Sequence, residues 1–258
     1  MTRMLNVGGV GLWVPGAPDV AAWRAGARGV PPGEPFAPPS GASIERRSRR
    51  RASPLTRACS CAFTEAATQA QIDVATTGAV FGSALGEVST MLELLDQMGK
   101  HEPLSPMGFT TSVHHSAAGT VSISSGNRGF TTSISANHDT PAAAIFEASG
   151  VCATMGTPVV IVCGDDEAPP RFVEGDESYD MIASSIAIVP AELPAVCRIS
   201  LPFIGAADLP TPEVPLRIAN NPQVGLLDLI DAIVAGREGV VRLDRGRGLG
   251  WCVRVTGA

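Results

Sequence analysis

Apolar residues along the chain fall into two alternating rhythms. Short, almost wholly apolar runs stand at 5–14 (LNVGGVGLWV), 77–83 (TGAVFGS), 158–163 (PVVIVC), 181–189 (MIASSIAIV) and 196–201. Runs of this length predict strands, and the unbroken hydrophobicity of 158–163 predicts a strand covered on both faces. Residues 130–136 (FTTSISA) alternate like a strand, and 248–255 (GLGWCVRV) predict a last one.

Between these runs the rhythm is helical. Ser53-Pro54 offers a capping hydroxyl and a first-turn proline, so the Ala-rich segment 54–76, with no internal Gly or Pro, predicts one long helix. Residues 86–98 place Val88, Met91, Leu92 and Leu95 on one helical face. A Pro-rich elbow at 103–106 precedes a small-residue helix over 110–126, whose short side chains permit close approach of another backbone. Thr140-Pro141 opens a helix over 140–155, and 222–236 reads as an amphipathic helix. The Pro-, Gly- and Arg-rich stretch 15–52 reads as loop, with 31–52 as its flexible part. Alternating strands and helices without an internal repeat predict one α/β domain over 1–258.

Composition adds a choice. The 258 residues are 45% hydrophobic and only 17% charged. Such a chain either builds a large Ala/Val-rich core or keeps an apolar face to bury against a partner. A net charge of −6 argues against wrapping nucleic acid, which needs basic stripes. The one basic run is Arg46, Arg47, Arg49, Arg50 and Arg51. No stretch of 18 uncharged apolar residues exists and the N-terminus lacks a long apolar segment, so neither a membrane span nor a signal peptide is expected, and the expected location is the cytoplasm.

Candidate chemistry is sparse. Six cysteines are scattered, only Cys59 and Cys61 are close, and no CxxC pair occurs, so zinc is not expected. Cys163 ends an apolar run, where a buried reduced thiol is the ordinary outcome. Asp165, Asp166 and Glu167 follow that run and read as a polar loop, with a metal site as the rarer alternative. The hydrolase signature Gly-x-Ser-x-Gly is absent.

Residues 78–163 resemble the N-terminal half of the β-ketoacyl synthases. Four landmarks carry the likeness in order: a strand ending in Gly82-Ser83, the Ser105-Pro106 elbow, a small-residue helix, and a Gly129 turn into a Ser-rich strand. That strand leads through a tight turn into a helix, and in the family this turn is the nucleophile elbow. The runs SPMGFTTSVHHSAAG and TSISANHDTPAAA are similar in particular to a short branch of chain length factors from aryl-polyene-type pathways. The likeness is good over roughly 76–203, weaker before 76 and poor after 205, so 205–258 reads as a degenerate C-terminal extension. The implied fold is thiolase-like α/β, an N-terminal half with a much reduced C-terminal half.

The resemblance implies a chain without condensing chemistry of its own. Claisen condensation needs a cysteine to hold the acyl chain as a thioester and two imidazoles to promote decarboxylation and stabilise the enolate. A gap-free count from Ser105-Pro106 puts the cysteine position at His138, within Ala136-Asn137-His138-Asp139-Thr140. None of the four histidines lies after residue 138. His138-Asp139 could form a dyad of other chemistry, but adjacent helical residues point apart, and a solvated or interface-lining elbow is the plainer reading. The implied role is a non-catalytic subunit, without cofactor, that forms a heterodimer with a full-length β-ketoacyl synthase and shapes its acyl tunnel for carrier-protein-bound chains. By position, Leu85 matches a residue closing the acyl pocket, and Gly108 and Phe109 match residues crossing the dimer interface, with His114 and His115 packing at the seam. Gly108 either leaves room for a long chain or only permits the turn after Pro106. Arg46, Arg47, Arg49 and Arg50 are either a docking patch for an acidic acyl carrier protein or a solvated loop. The alternative is a stand-alone thiolase-like acyl transferase or decarboxylase using His138.

Overall fold

The computed structural model describes residues 3–31, 34–169, 171–172 and 177–258. Among the described residues the seven expected strands and two further ones form one nine-stranded mixed sheet. In chain order its strands are β1 (Met4–Trp13), β2 (Gly78–Gly82), β3 (Thr131–Ile134), β4 (Val159–Asp165), β5 (Ile182–Val189), β6 (Cys197–Ser200), β7 (Phe203–Ile204), β8 (Gly239–Arg242) and β9 (Trp251–Thr256). They lie in the order β3-β2-β4-β5-β1-β6-β9-β7, with β8 also on β9. Only β2 runs parallel to its neighbours β3 and β4; every other pairing is antiparallel. β3 therefore ends the sheet.

The helices are α1 (Val20–Arg24), α2 (Arg46–Arg49), α3 (Pro54–Gln69), α4 (Val88–Gly99), α5 (Pro106–Thr111), α6 (Ser116–Ser125), α7 (Thr140–Met155), α8 (Leu216–Ala219) and α9 (Val224–Val234). α3 and α6 cover one face of the sheet around Phe63, Phe81, Val160 and Val162. α7, α9 and Trp23 of α1 cover the other around Ile145, Ile161, Ile186 and Leu229. The result is a three-layer α/β/α fold.

The glycines of β1 do not break it. They let α3 lie on it backbone to backbone: a Cβ on Gly9 would stand 2.4 Å from Ala66 O, and one on Gly11 2.2 Å from Ala62 O. β6 pairs β1 only as far as Val7. Beyond it, Val10 N donates to Gln69 Oε1 at 2.7 Å and Leu12 N to Glu65 Oε2 at 3.0 Å, so α3 satisfies backbone donors that no strand reaches.

Several expectations are corrected. The stretch 15–52 holds two short helices, α1 and α2. α3 stops at Gln69 rather than running to 76, because Gln71 turns left-handed (φ 54°) and Asp73 takes the chain away in a local turn, its Oδ1 accepting from Ala75 N at 3.0 Å. The helix expected over 110–126 is two, with His114 and His115 in the turn between α5 and α6; its expected end is right, at the left-handed Gly126. α4 buries Val88 and Leu94 and leaves Leu95 exposed, so its inner face is turned from the one expected. α9 is not amphipathic: it is buried all round from Val224 to Ala232. Its two aspartates find distant partners, Asp228 in Arg245 at 2.6 Å and Asp231 in Trp23 Nε1 at 2.8 Å, with Arg28 and Arg237 beside it. β7, α8 and β8 were not expected at all.

Candidate functional site

β3 delivers the chain to a sharp bend. Asn137 takes a left-handed backbone (φ 52°), Asn137–Asp139 make one 3-10 turn, and α7 starts at Thr140. A non-glycine residue at positive φ is strained, and such strain clusters at functional elbows. Thr140 holds the bend closed: its Oγ1 accepts from Ala136 N at 2.9 Å and donates to Asn137 O at 2.7 Å.

A cavity of about 560 Å³ opens at this elbow, lined by Leu85, Asn137, His138, Tyr179, Asn220 and Arg247 among others. His138 is half-buried. Burial, and then the positive field of Arg247, hold its imidazole below the usual histidine range, against the pull of Asp244 and Asp139. Among the described residues Asp139 makes no hydrogen bond to His138; its Oδ1 accepts from Leu249 N at 2.9 Å. Gly248 lies so close that a Cβ there would stand 2.2 Å from Asp139 Oδ1.

The cover over the elbow comes from the end of the chain. The loop 244–250, between β8 and β9, is wound around Asp244, which accepts from Gly246 N at 2.8 Å, Gly250 N at 2.6 Å and Arg242 Nε at 2.6 Å. Arg247 reaches from it to Asn220 Oδ1 at 2.6 Å. The segment after residue 205 thus supplies one wall of the cavity. Neither Asn137 nor Arg247 stands out in the sequence; Asn tolerates a left-handed backbone better than most residues, and the RGRGLG run hints at a tight loop.

The other singled-out residues fall into three places. Leu85, 42% exposed, stands at the cavity. His114 Nε2 lies 2.9 Å from Ser83 O, and His115 Nδ1 2.7 Å from Ser133 Oγ, so the two histidines pin the α5–α6 turn to the β2 end and to β3. Gly108 is the third residue of α5, at an ordinary helical backbone; a Cβ there would meet Leu94 Cδ2 at 3.3 Å. Phe109 is 65% exposed on the outer surface.

Other exposed apolar residues of α5, α6 and the turn between them share a groove that Phe109 does not line. Met107, Val113 and Ile123 line a groove of about 410 Å³ over α6, floored by Gly119, and Ile123 is 81% exposed. Arg51 borders that groove, next to α2 with Arg46, Arg47 and Arg49, and Arg50 follows that helix. The edge strand β3 runs alongside, tied to α6 by the Ser122–Thr131 hydroxyl contact at 3.2 Å.

The three carboxylates after Cys163 diverge. Asp165 is wholly buried, whereas Asp166 and Glu167 line an outer groove, where Glu167 pairs with Arg217 at 2.7 Å. Among the described residues no group of three or more His, Cys, Asp or Glu side chains is placed to hold a metal ion. Cys59 and Cys163 are buried, and burial pushes both thiols far up, so neither offers a displaced nucleophilic thiolate. Among the described residues no helix is long and apolar enough to cross a membrane.

Glu87, at the head of α4, is another buried carboxylate. Its Oε1 accepts from Thr56 Oγ1 at 2.7 Å and Ser53 Oγ at 2.8 Å, while Oε2 has no partner. Burial raises its pKa against those two hydroxyls. A carboxyl raised in the folded state loses stability as pH climbs from its unfolded pKa through the folded one. Glu87→Gln keeps an acceptor for both hydroxyls and removes the titration. Its stability relative to wild type is expected to rise as pH climbs from the ordinary glutamate range toward neutrality, read by urea unfolding at each pH. A constant difference across that range would show that Glu87 does not titrate there.

A mixed sheet between helical layers, with a strand–elbow–helix bend at its edge, defines the thiolase-like architecture. The family described as β-ketoacyl synthase, N-terminal domain, matches residues 21–245, and the chain belongs to it. The match runs well past residue 205, where the motif likeness is poor. No curated protein matches. The fold is shared with a ketosynthase (ApeO) in complex with its chain length factor (ApeC) from Xenorhabdus doucetiae, at TM-score 0.73 and 19% identity over 98% of this chain and 99% of that one. It is shared with a type II polyketide synthase acyl-carrier protein complex with its ketosynthase (AntDE:AntF), at TM-score 0.70 and 14% identity over 100% of both chains. It is also shared with the ishigamide ketosynthase/chain length factor, at TM-score 0.63 and 15% identity over 99% of this chain and 98% of that one.

Proposed function

We propose that this chain is a non-catalytic, chain-length-factor-like subunit that pairs with an active β-ketoacyl synthase and shapes its acyl tunnel, in a polyketide pathway of aryl polyene type. The observation that carries it is the elbow: strained, hydrogen-bonded and covered, yet bearing Asn137, His138 and Asp139 in place of a thiol. A thioester cannot form on any of these side chains, and the acyl chain must be held by a partner. The names of the ketosynthase/chain length factor complexes sharing the fold support the reading. So does the apolar groove of Met107, Val113 and Ile123 beside the open edge of β3, which a partner would cover over an area on the order of 2,000 Å² for an obligate pair. The arginines of α2 and Arg50, close in the chain to Arg51 at the rim of that groove, are the docking candidates for an acidic acyl carrier protein.

Co-expression with a full-length ketosynthase tests this, with the mass of the purified complex and its turnover of malonyl carrier protein as readouts. The expected result is a one-to-one complex that condenses only when both chains are present. His138→Ala should leave that turnover within about twofold, whereas Leu85→Ala or Gly108→Phe should change product length by at least about one two-carbon unit. Acyl turnover by this chain alone, abolished by His138→Ala, would replace the subunit reading with a stand-alone transferase or decarboxylase.

A further inference from the structure

Asp165 closes β4 with both carboxylate oxygens engaged inside the protein. Oδ1 accepts from Ser83 Oγ, from Ala84 N at 3.0 Å and from Leu85 N at 3.0 Å; Oδ2 accepts from Ala84 N at 2.9 Å and from Gln223 Nε2 at 2.7 Å. All of these donors are neutral. A buried carboxylate held by neutral donors costs several kcal/mol of desolvation, which a hydrophobic filling would avoid. Gln223 adds a second cost, because its Oε1 is buried without a partner. Two such costs at one point mark a device kept for geometry rather than for stability.

What the device joins are two walls of the elbow cavity. On one side is the turn 83–86, where Ser83 Oγ also accepts from Gly86 N at 2.8 Å and Ser83 O accepts from His114 Nε2 at 2.9 Å, which fixes that ring's proton on Nε2. Ala84 and Leu85 of this turn line the cavity. On the other side is Gln223 at the head of α9, next to Pro222 and close to Asn220, which line it too. We propose that Asp165 is a positioning residue for this cavity: its carboxylate fixes the backbone of the Ser83–Leu85 turn and Gln223 locks that carboxylate to α9, so that Leu85 stands where an acyl chain would end. The assignment of Leu85 to an acyl chain rests on the subunit reading; the coupling of the two walls does not.

The test compares Asp165→Ala, Gln223→Leu and Asp165→Asn in the complex with the ketosynthase. Asparagine can turn its oxygen to the Ala84 and Leu85 amides and its NH₂ to Gln223, whose amide flips to offer the orphan Oε1. Asp165→Asn should therefore match wild type, while Asp165→Ala and Gln223→Leu should each make the Ala84 and Leu85 amides exchange hydrogen at least about tenfold faster. The same two variants should broaden the product-length distribution as Leu85→Ala does, with the complex intact. Unchanged exchange in Gln223→Leu, or Asp165→Asn behaving like Asp165→Ala, would overturn the coupling; Gln223→Leu decides if Asp165→Ala does not fold. Unchanged products in both variants, while Leu85→Ala shifts them, would overturn the role in length setting. Unchanged products in Leu85→Ala itself would instead sink the subunit's length-setting role and leave the exchange result to judge the coupling.

Discussion

Gly225→Ala is expected to destabilise the protein by about 4 kcal/mol or more, a large part of the 5–15 kcal/mol that holds a typical domain together. Gly225 is the second residue of α9, and a Cβ there would lie 1.6 Å from Leu243 O and 2.2 Å from Leu243 C. Those are backbone atoms, and they cannot swing away. Leu243 is buried and its N donates to Trp251 O at 2.8 Å, closing the β8–β9 hairpin. Asp244 then anchors the loop that covers the elbow, so any retreat of Leu243 would pull on the Asp139–Leu249 contact. Gly150 is the control. It is an exposed residue inside α7 with nothing within 4 Å of its would-be Cβ, so Gly150→Ala should stabilise by about 0.5–1 kcal/mol through helix propensity alone. Urea midpoints of the two variants should therefore move in opposite directions. A Gly225→Ala variant within 1 kcal/mol of wild type, on the order of one ordinary substitution, would mean that α9 does not pack on Leu243 as described.

The same residues show what the sequence could and could not announce. β4 was legible because five apolar residues in a row admit few other uses, and α7 because Thr140-Pro141 starts it. α9 was misread because Asp228 and Asp231 look like a solvent face in any local window. Their partners lie beyond the helix itself: Arg245 for one, and Trp23, Arg28 and Arg237 for the other. α3 was overextended because its end carries no Gly or Pro; the Asp73 side chain, a weaker signal, turns the chain instead. β7, with two residues, is below what periodicity can detect.

The candidate site divides in the same way. The elbow was legible as a Ser-rich strand running into Thr-Pro, and the missing thiol is plain from residue identity. The exposed backbone strain falls on Asn137, one position before the His138 reached by counting, because the 3-10 turn starts the bend earlier than a straight strand-to-helix junction would. Its cover is non-local: Leu249 meets Asp139 across 110 positions and Arg247 meets Asn220 across 27. Asp165 looked like one of three loop carboxylates, yet it alone lies in the core, since β4 extends two residues beyond Cys163 and carries it inward.

The largest functional effect is expected from Ile123→Glu. Ile123 is 81% exposed on α6, so an isolated chain should fold as well with glutamate there as with isoleucine. On a covered face the outcome differs, because a carboxylate buried at an interface without a partner costs several kcal/mol. α6 is suited to close approach: Gly119 has nothing within 4 Å of its would-be Cβ, and Met107 and Val113 extend the apolar surface around the same groove. Exposed apolar side chains gathered beside an open sheet edge invite association, and a partner in this place also prevents edge-to-edge aggregation. Under the proposed pairing, Ile123→Glu should weaken binding to the ketosynthase by at least about 2.7 kcal/mol, or roughly a hundredfold in Kd, with the thermal midpoint of the free chain unchanged. Leu216→Glu serves as the comparison. Leu216 is 59% exposed on α8, away from this groove, and its replacement should leave Kd unchanged. Equal affinities for the Ile123 and Leu216 variants would place the partner elsewhere. A loss confined to Ile123→Glu would fix the α6–β3 face as the surface of the pairing proposed above.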